Sequence, residues 1–166
     1  MPIPPDFVDE CLYDPAAWFL VDADMFPDEG RVVGICDTTR LGFFVDAQRT
    51  WPGHDKHLPG AVAVQLTGTL GQLMSTYVVG LRATEGWVGF GTHIHEARFS
   101  RIGRIGPSVT CEARLLSKRR FRETVFTKIA FRYEQDGEDI YTSTQTAAWF
   151  RTDHRGPLGA PLRSPP

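Results

Sequence analysis

Cysteine is scarce in this 166-residue sequence, and the three that occur, Cys11, Cys36 and Cys111, are far apart. An odd number of dispersed cysteines with no CxxC pair argues against a disulfide scaffold and against a zinc site. We therefore predict reduced thiols that serve as packing residues.

Long apolar runs are also missing. No run approaches the roughly 20 residues needed to span a bilayer, so we predict no membrane partner. The N-terminal sequence, MPIPPDFVDECLYD, lacks the basic start and apolar core of a signal peptide. A formal net charge of -2 with 23% charged residues argues against a nucleic-acid partner. These absences predict one cytoplasmic domain, for which the chain is long enough to build a core.

Acidic residues are absent from residues 60–84, although Asp and Glu together number 20 in the chain. The same stretch has a helical period, because apolar residues recur there at intervals of three and four. These residues are Leu66, Leu70, Leu73, Met74, Tyr77, Val78 and Leu81. We predict a long central helix in the second part of residues 51–82, with no carboxylate of its own.

The other faces of this predicted helix are polar or small. The polar stripe consists of Gln65, Thr69, Gln72 and Thr76, and the small residues beside it are Gly68, Gly71 and Ser75. A glycine inside a helix costs roughly 1 kcal/mol relative to alanine. Two glycines within one turn therefore indicate either tight packing alone or the close approach of a sheet or an acyl chain to the backbone.

Strand-like segments flank the predicted helix on both sides. A hairpin is predicted over residues 18–39, with its turn at residues 27–30. Four more strands are predicted after the helix, at residues 86–100, 108–117, 121–134 and 138–150, with turns at residues 118–120 and 135–137. This order predicts an α+β domain over residues 16–151, preceded by an arm (residues 1–15) and followed by a flexible Pro/Gly-rich tail (residues 152–166). One helix cannot cover both faces of such a sheet, so we expect at least a dimer.

Several short phrases in this order resemble a known family. They are Phe19-Leu20-Val21-Asp22, Arg31-Val32-Val33-Gly34, Phe43-Phe44, Glu96-Ala97-Arg98-Phe99-Ser100-Arg101 and Ile105-Gly106-Pro107. Their sequence and spacing resemble the hotdog fold, and most closely the β-hydroxyacyl-acyl-carrier-protein dehydratases of fatty-acid and polyketide synthesis. The resemblance implies a curved antiparallel sheet wrapped around one long central helix.

The resemblance also implies a chemistry, which uses a loop histidine and a carboxylate on the central helix as base and acid. Gly53-His54 matches the start of the family's histidine loop. Depending on the register, the position of the family's carboxylate falls on Gly68, Gln65 or Gly71, so no register supplies an acid. Glutamine does not exchange a proton at neutral pH, and the reaction is therefore left open.

Three functions follow as alternatives. The first is a dehydratase-like enzyme in which His54 or His57 performs the acid–base steps, with a carboxylate from another segment or subunit. The second is an acyl thioesterase in which Gln65 and Thr69 orient a water. The third is a non-catalytic hotdog subunit that pairs with an active partner.

The predicted site combines the loop before the helix with one helix face. Its predicted catalytic residues are His54, His57 and Gln65, and its predicted substrate-binding residues are Gly60, Ala61, Gly68, Thr69 and Gln72. The amide of Gly60 or Ala61, at the helix start, would polarise the thioester oxygen. The site needs neither a metal nor another cofactor.

The expected partners are an acyl thioester, carried by acyl carrier protein or coenzyme A, and a second hotdog chain in a homodimer or heterodimer. Two basic clusters could receive an acidic carrier surface or a phosphate. Their members are Arg98, Arg101, Arg104, Lys118, Arg119, Arg120 and Arg122. His93 and His95 project from one face of a predicted strand, but no third ligand is evident, so we interpret them as a surface or interface pair.

Overall fold

The computed structural model describes residues 1–152. Within this range the α-helices are α1 (Phe7–Glu10), α2 (Phe43–Asp46) and α3 (Gly60–Leu73), and the strands are β1 (Leu20–Phe26), β2 (Arg31–Cys36), β3 (Trp87–Phe99), β4 (Val109–Phe121), β5 (Thr124–Gln135) and β6 (Glu138–Arg151). The strands form one curved antiparallel sheet in the order β1-β2-β4-β5-β6-β3. The predicted tail, apart from residue 152, lies outside the described residues.

The strand alternation predicted from the sequence is confirmed for β5. Ile129 and Tyr133 are buried in the main core with the leucines of α3, and Val125 is buried in a second cluster with Trp87 and Trp149. Arg132, on the opposite face, is exposed. The turn between β5 and β6 contains Asp136 and Gly137, both with positive φ, as a two-residue hairpin of the Asp-Gly type requires.

The predicted turn at residues 118–120 is wrong. These residues belong to β4, and Lys118 lies opposite Thr127 in β5. The chain turns instead at Arg122 and Glu123, where Arg122 has a φ of 54°. The basic side chains at this end of the strand are exposed, so a strand can carry them beyond the core without burying charge.

The central helix packs its apolar stripe against the sheet. Leu66, Leu70 and Leu73 are fully buried in the main core, which confirms the predicted stripe. A Cβ on Gly34 of β2 would lie 3.3 Å from a methyl of Leu70 and 3.0 Å from Leu20. Glycine at this position therefore lets the helix approach the sheet closely.

The helix does not end at Leu73 but continues into one π-helical turn, Met74–Val79. Gly80 then adopts a left-handed conformation, and the backbone N–H of Leu81 donates to the carbonyl of Ser75 at 2.8 Å. A positive φ and a returning N–H of this kind are typical of a helix C-terminus that ends on glycine.

The cysteines are free thiols, as predicted. Cys36 and Cys111 are fully buried, in β2 and β4. Burial, aided by the charge of Asp37, raises the pKa of Cys36 to about 12. Burial also raises the pKa of Cys111 well above its ordinary value. Both thiols therefore stay protonated at neutral pH and serve the packing of the core.

The sheet exposes one long edge. Among the strands of residues 1–152, β3 pairs only with β6, and the residues from Phe90 to the end of the strand are exposed. Among them Phe90, Ile94 and Phe99 are 46%, 53% and 55% exposed, which is unusual for large apolar side chains on a strand edge. No helix in residues 1–152 has the length and apolar character to cross a membrane.

Candidate active site

The loop before α3 is held by backbone contacts that fix the position of His57. The backbone N–H of His57 donates to Gln48 Oε1 at 3.0 Å, and Gln48 Nε2 donates to the His57 carbonyl at 2.8 Å. Next to it, the N–H of Leu58 donates to the carbonyl of Gly103 at 2.8 Å. A single glutamine and the β3–β4 connection therefore hold the segment that delivers the chain to the helix.

The structure brings the two predicted catalytic histidines together. Their ring centroids are 5.0 Å apart, with the planes inclined by 51°. His54 is exposed in a tight turn in which it exchanges two backbone hydrogen bonds with Trp51. His57 is half-buried, and its Nδ1 is buried with no protein partner. The His54 ring thus faces solvent, whereas the His57 ring has a buried nitrogen without a hydrogen-bond partner.

Among the ion pairs of residues 1–152, none joins a carboxylate to either ring. The central helix contributes no acid, since residues 60–84 contain neither Asp nor Glu. The loop's own Asp55 is exposed. In residues 1–152, therefore, the titratable group seen in contact with each of these rings is the other histidine.

The N-terminus of α3 carries no side-chain cap, because its N-cap residue is Pro59. Gly60 and Ala61, the first residues of the helix, are exposed. Uncapped N–H groups at a helix start, with the positive end of the helix dipole, favour an oxygen that develops negative charge. The Phe99 ring closes one side, because a Cβ on Gly60 would lie 3.3 Å from it.

Two polar groups on the helix are buried without hydrogen-bond partners. They are Gln65 Nε2 and Thr69 Oγ1, and Thr69 is fully buried. An unsatisfied buried donor or acceptor costs about 1–3 kcal/mol, so such groups usually serve a bound molecule or a water. The roles of Gln65 and Thr69 in the predicted site stay predictions.

A cavity of about 110 Å³ lies between α3 and the sheet. Its lining residues are Leu12, Tyr13, Thr67, Gly68, Gly71, Gln72, Gly89, Phe90, Gly91, Ile129, Phe131, Gln145, Thr146, Ala147 and Trp149. A Cβ added at Gly71 or Gly91 would meet nothing within 4 Å. The helix glycines thus leave space for a ligand in addition to allowing close packing.

The predicted site therefore falls in two places along the helix. Gly68 and Gln72 line the cavity, whereas both histidines, Gln65, Gly60, Ala61 and Thr69 do not. At 1.5 Å per residue, Gly68 lies about 12 Å along the helix from Gly60. The polar groups at the start of α3 are thus separated from a largely apolar cavity farther along the helix.

Sequence reasoning missed several residues of the cavity. Gly89 and Gly91 leave one face of β3 without side chains, and glycines inside a strand mark the close approach of another group, so this signal was present. The indole of Trp149 lies on Gly89, where a Cβ would be 2.5 Å from the ring. No local sequence pattern predicts that Leu12 and Tyr13 of the arm line the cavity.

No protein-family model matches this chain, and no curated protein matches it in sequence. Solved structures do match. A dehydratase heterocomplex from Xenorhabdus doucetiae has a TM-score of 0.57 at 14% identity, covering 85% of this chain and 87% of that one. A thioesterase from Haemophilus influenzae has a TM-score of 0.53 at 22% identity, covering 82% of each chain.

A mutant thioesterase from Pseudomonas aeruginosa is also similar, with a TM-score of 0.52 at 25% identity, covering 78% of this chain and 80% of that one. The chain has the hotdog fold. The predicted fold class, a curved antiparallel sheet around one long helix, is thus confirmed. The hotdog proteins that it resembles include both thioesterases and a dehydratase.

Two other predicted features, the second histidine pair and the basic clusters, lie at exposed positions. His93 and His95 stack at 5.8 Å, and His95 Nε2 lies 2.7 Å from the Thr146 hydroxyl. Residues 1–152 contain no group of three metal-ligating side chains suited to an ion. Many of the basic residues are already paired on the surface: Arg98 with Glu96, Arg101 with Glu138, Arg104 with Asp136 and Arg120 with Glu123.

Proposed function

We propose that this chain acts on an acyl group held as a thioester, and that its reaction is a dehydratase-like elimination of water from a β-hydroxyacyl thioester. The observation that carries the proposal is the pair of imidazole rings, 5.0 Å apart, in the loop directly before an uncapped helix start. Imidazole both accepts and donates protons near neutral pH. The pair therefore offers a base and an acid where the helix offers no carboxylate.

The elimination would proceed as follows. The thioester oxygen accepts hydrogen bonds from the N–H groups of Gly60 and Ala61, which stabilises the charge that develops as the α-proton leaves. His54 removes this proton, and the electron pair forms the new carbon–carbon double bond. The β-hydroxyl leaves as water with a proton from His57 or from an acid of a second chain. The proton taken by one group thus balances the proton given by the other.

Hydrolysis of the thioester is the second candidate, and a separate observation favours it. Gln65 Nε2 and Thr69 Oγ1 are buried without partners, and an amide and a hydroxyl on one helix face can hold an attacking water. A histidine would take the proton of that water, while the helix-start amides hold the oxyanion. The two thioesterases of similar fold support this candidate.

A second hotdog chain is the partner we propose, paired along the exposed edge of β3. The exposed apolar side chains of this edge, Phe90, Ile94 and Phe99, support an interface. The basic clusters fit both the acidic surface of an acyl carrier protein and the phosphates of coenzyme A, and experiment decides between the two carriers. A non-catalytic subunit would use the same interface and cavity but would not need the histidines.

The deciding experiment is intact-mass analysis of a carrier protein loaded with a β-hydroxyacyl chain and incubated with the purified protein. Dehydration lowers the mass of the loaded carrier by one water, whereas hydrolysis removes the whole acyl chain. We expect the loss of water, and we expect the double variant His54→Ala, His57→Ala to abolish it.

The control is Asp28→Ala, at an exposed position in the connection between β1 and β2, outside the cavity lining and the β3 edge, and it should leave the reaction unchanged. Release of the acyl chain would replace the first candidate with the second. No change in mass with any acyl chain, for this chain alone or mixed with a catalytic hotdog partner, would contradict both.

A further inference from the structure

The cavity has one wall that belongs neither to the helix nor to the sheet. Of its lining residues, Leu12 and Tyr13 alone come from the N-terminal arm. They are 57% and 41% exposed, so each presents one side to the cavity and another to solvent. This segment therefore forms the boundary between the cavity and the exterior.

The arm is held firmly just before this wall. The Glu10 side chain is 1% exposed, and its carboxylate accepts hydrogen bonds from Arg82 Nε at 2.8 Å and from Thr84 Oγ1 at 2.7 Å. The backbone carbonyl of Glu10 accepts from Gln72 Nε2 at 3.3 Å. A buried charge with several donors is costly to release, so the arm is anchored to the helix and to the segment after it.

A second anchor lies just after the wall. The indole Nε1 of Trp18 donates to the carbonyl of Tyr13 at 2.8 Å. The Trp18 ring packs on Phe7 of the arm, with 4.8 Å between ring centroids. Two fixed points thus flank Leu12 and Tyr13, and the wall cannot move away without breaking one of them.

The Tyr13 ring lies against the central helix at Gly68. A Cβ at Gly68 would lie 3.5 Å from Tyr13 Cε2, which is ordinary van der Waals contact. An alanine at position 68 would therefore fit without moving the ring, whereas a larger side chain would meet it. The enclosed volume, about 110 Å³, is smaller than a cavity of about 150 Å³ that holds benzene, so the wall leaves room for only a short apolar segment.

We propose that Leu12 and Tyr13 form the end wall of the acyl pocket, and that Tyr13 sets the length of the acyl chain that this protein accepts. The inference rests on the proposed function, because it takes the occupant of the cavity to be the acyl chain of the thioester. The thioester lies at the start of α3, the chain runs along Thr67 and Gly68, and its end meets the Tyr13 ring. Removing that ring opens the pocket toward solvent and longer chains.

The test uses S-alkyl pantetheine thioethers, from butyl to hexadecyl, as probes. They lack the thioester carbonyl and therefore undergo neither elimination nor hydrolysis. Isothermal titration calorimetry on the full chain measures affinity against chain length. For the unaltered protein, we expect the affinity to rise with each methylene up to a limit and then to stop rising.

Tyr13→Ala should move that limit to longer chains, with at least a tenfold gain in affinity for probes just beyond the original limit. Tyr13→Phe keeps the ring and is the matched control, which should leave the limit unchanged. Gly68→Val fills space beside the Tyr13 ring and should move the limit to shorter chains. Circular dichroism and the unfolding midpoint verify that each variant is folded.

The outcomes separate this inference from the function on which it rests. If probes bind but Tyr13→Ala leaves the limit where it was, the wall is elsewhere and the inference fails alone. An equal shift in Tyr13→Phe would also overturn it, because the ring would not be the barrier. If no probe of any length binds to the unaltered protein, the acyl-thioester function fails as well.

Discussion

Gly71, on the central helix, faces open space, since a Cβ there would meet nothing within 4 Å. Gly71→Ala should therefore raise the free energy of unfolding by about 0.5–1 kcal/mol, because alanine loses less backbone entropy than glycine in a helix. Urea unfolding followed by circular dichroism measures the change. A loss of stability would show that this space is not open.

Gly89, in β3, is the opposite case. A Cβ there would lie 2.5 Å from the indole of Trp149, whose Nε1 donates to Thr127 Oγ1 at 3.1 Å in a buried position. Gly89→Ala should displace the indole and lower the free energy of unfolding by about 1–3 kcal/mol. Gly91→Ala, on the same strand but without a neighbour, is the control and should have a much smaller effect. Equal costs at both positions would contradict this account.

The sequence distinguishes such glycines only in part. Two glycines in one turn of a helix, and two more alternating along β3, indicate close approach, but the identity of the neighbour depends on tertiary packing. His54 and His57 could be selected from the sequence because they precede a helix start, yet the contact between their rings is visible only in the folded arrangement.

At the scale of elements, the buried carboxylate of Glu10 fixes the N-terminal arm to the segment that follows the central helix. Burial acts to raise the pKa of Glu10, but hydrogen bonds from Thr84 and Ala83, with the charge of Arg82, outweigh it, and the pKa is lowered below its ordinary value of 4.5. A lowered folded-state pKa stabilises the fold above the unfolded-state pKa. This contribution is lost as the pH falls from about 4.5 through the folded-state pKa.

Glu10→Gln should therefore lower the free energy of unfolding by about 1–3 kcal/mol at neutral pH, which is the range for hydrogen bonds to a charged group. The difference from the unaltered protein should shrink as the pH falls below 4.5. Urea unfolding at a series of pH values measures both effects. Asp9→Asn removes a charge from an exposed position of the same helix and is the control. A difference that stays constant with pH would contradict the role of the carboxylate.

Periodicity predicted most of the elements, because the apolar stripe of α3 and the alternation in β5 are local patterns that burial preserves. It failed at residues 118–120, where three consecutive basic residues were interpreted as a turn. A strand that extends past the core of the protein can keep such residues in solvent. The local sequence of β4 carries no information on how far the neighbouring strand, β5, extends beside it. The packing of the arm against the helix likewise could not be predicted from local patterns, because it joins residues far apart in the sequence.

At the scale of the whole molecule, the exposed edge of β3 predicts assembly. Ile94→Lys places a charge among exposed apolar side chains at this edge and should convert a dimer to a monomer. Size-exclusion chromatography with light scattering at matched concentrations measures the mass. Leu116→Lys, at a position on β4 that is 50% exposed, is the control and should stay dimeric. A monomeric unaltered protein, or a dimeric Ile94 variant, would contradict the interface.

The fold could be predicted as a whole because short phrases of the sequence occur in the order that the hotdog architecture requires. The reaction could not, because it depends on which atoms meet at one point. Gln65 shows the difference: the sequence places it near a position that the resembled family fills with an acid, but its buried and unpaired amide is visible only in the folded chain.

The π-helical turn at Met74–Val79 has a consequence for how this protein can change during evolution. A widened turn holds one residue more than an α-helical turn, so it marks a place where the chain tolerates a change in length. Insertions or deletions there leave the preceding helix in register, and Gly68 and Gly71 keep facing the cavity. The helix wall of the pocket can therefore keep its position while the connection to the sheet changes in length, and such a change would move Arg82 and Thr84, which hold the arm.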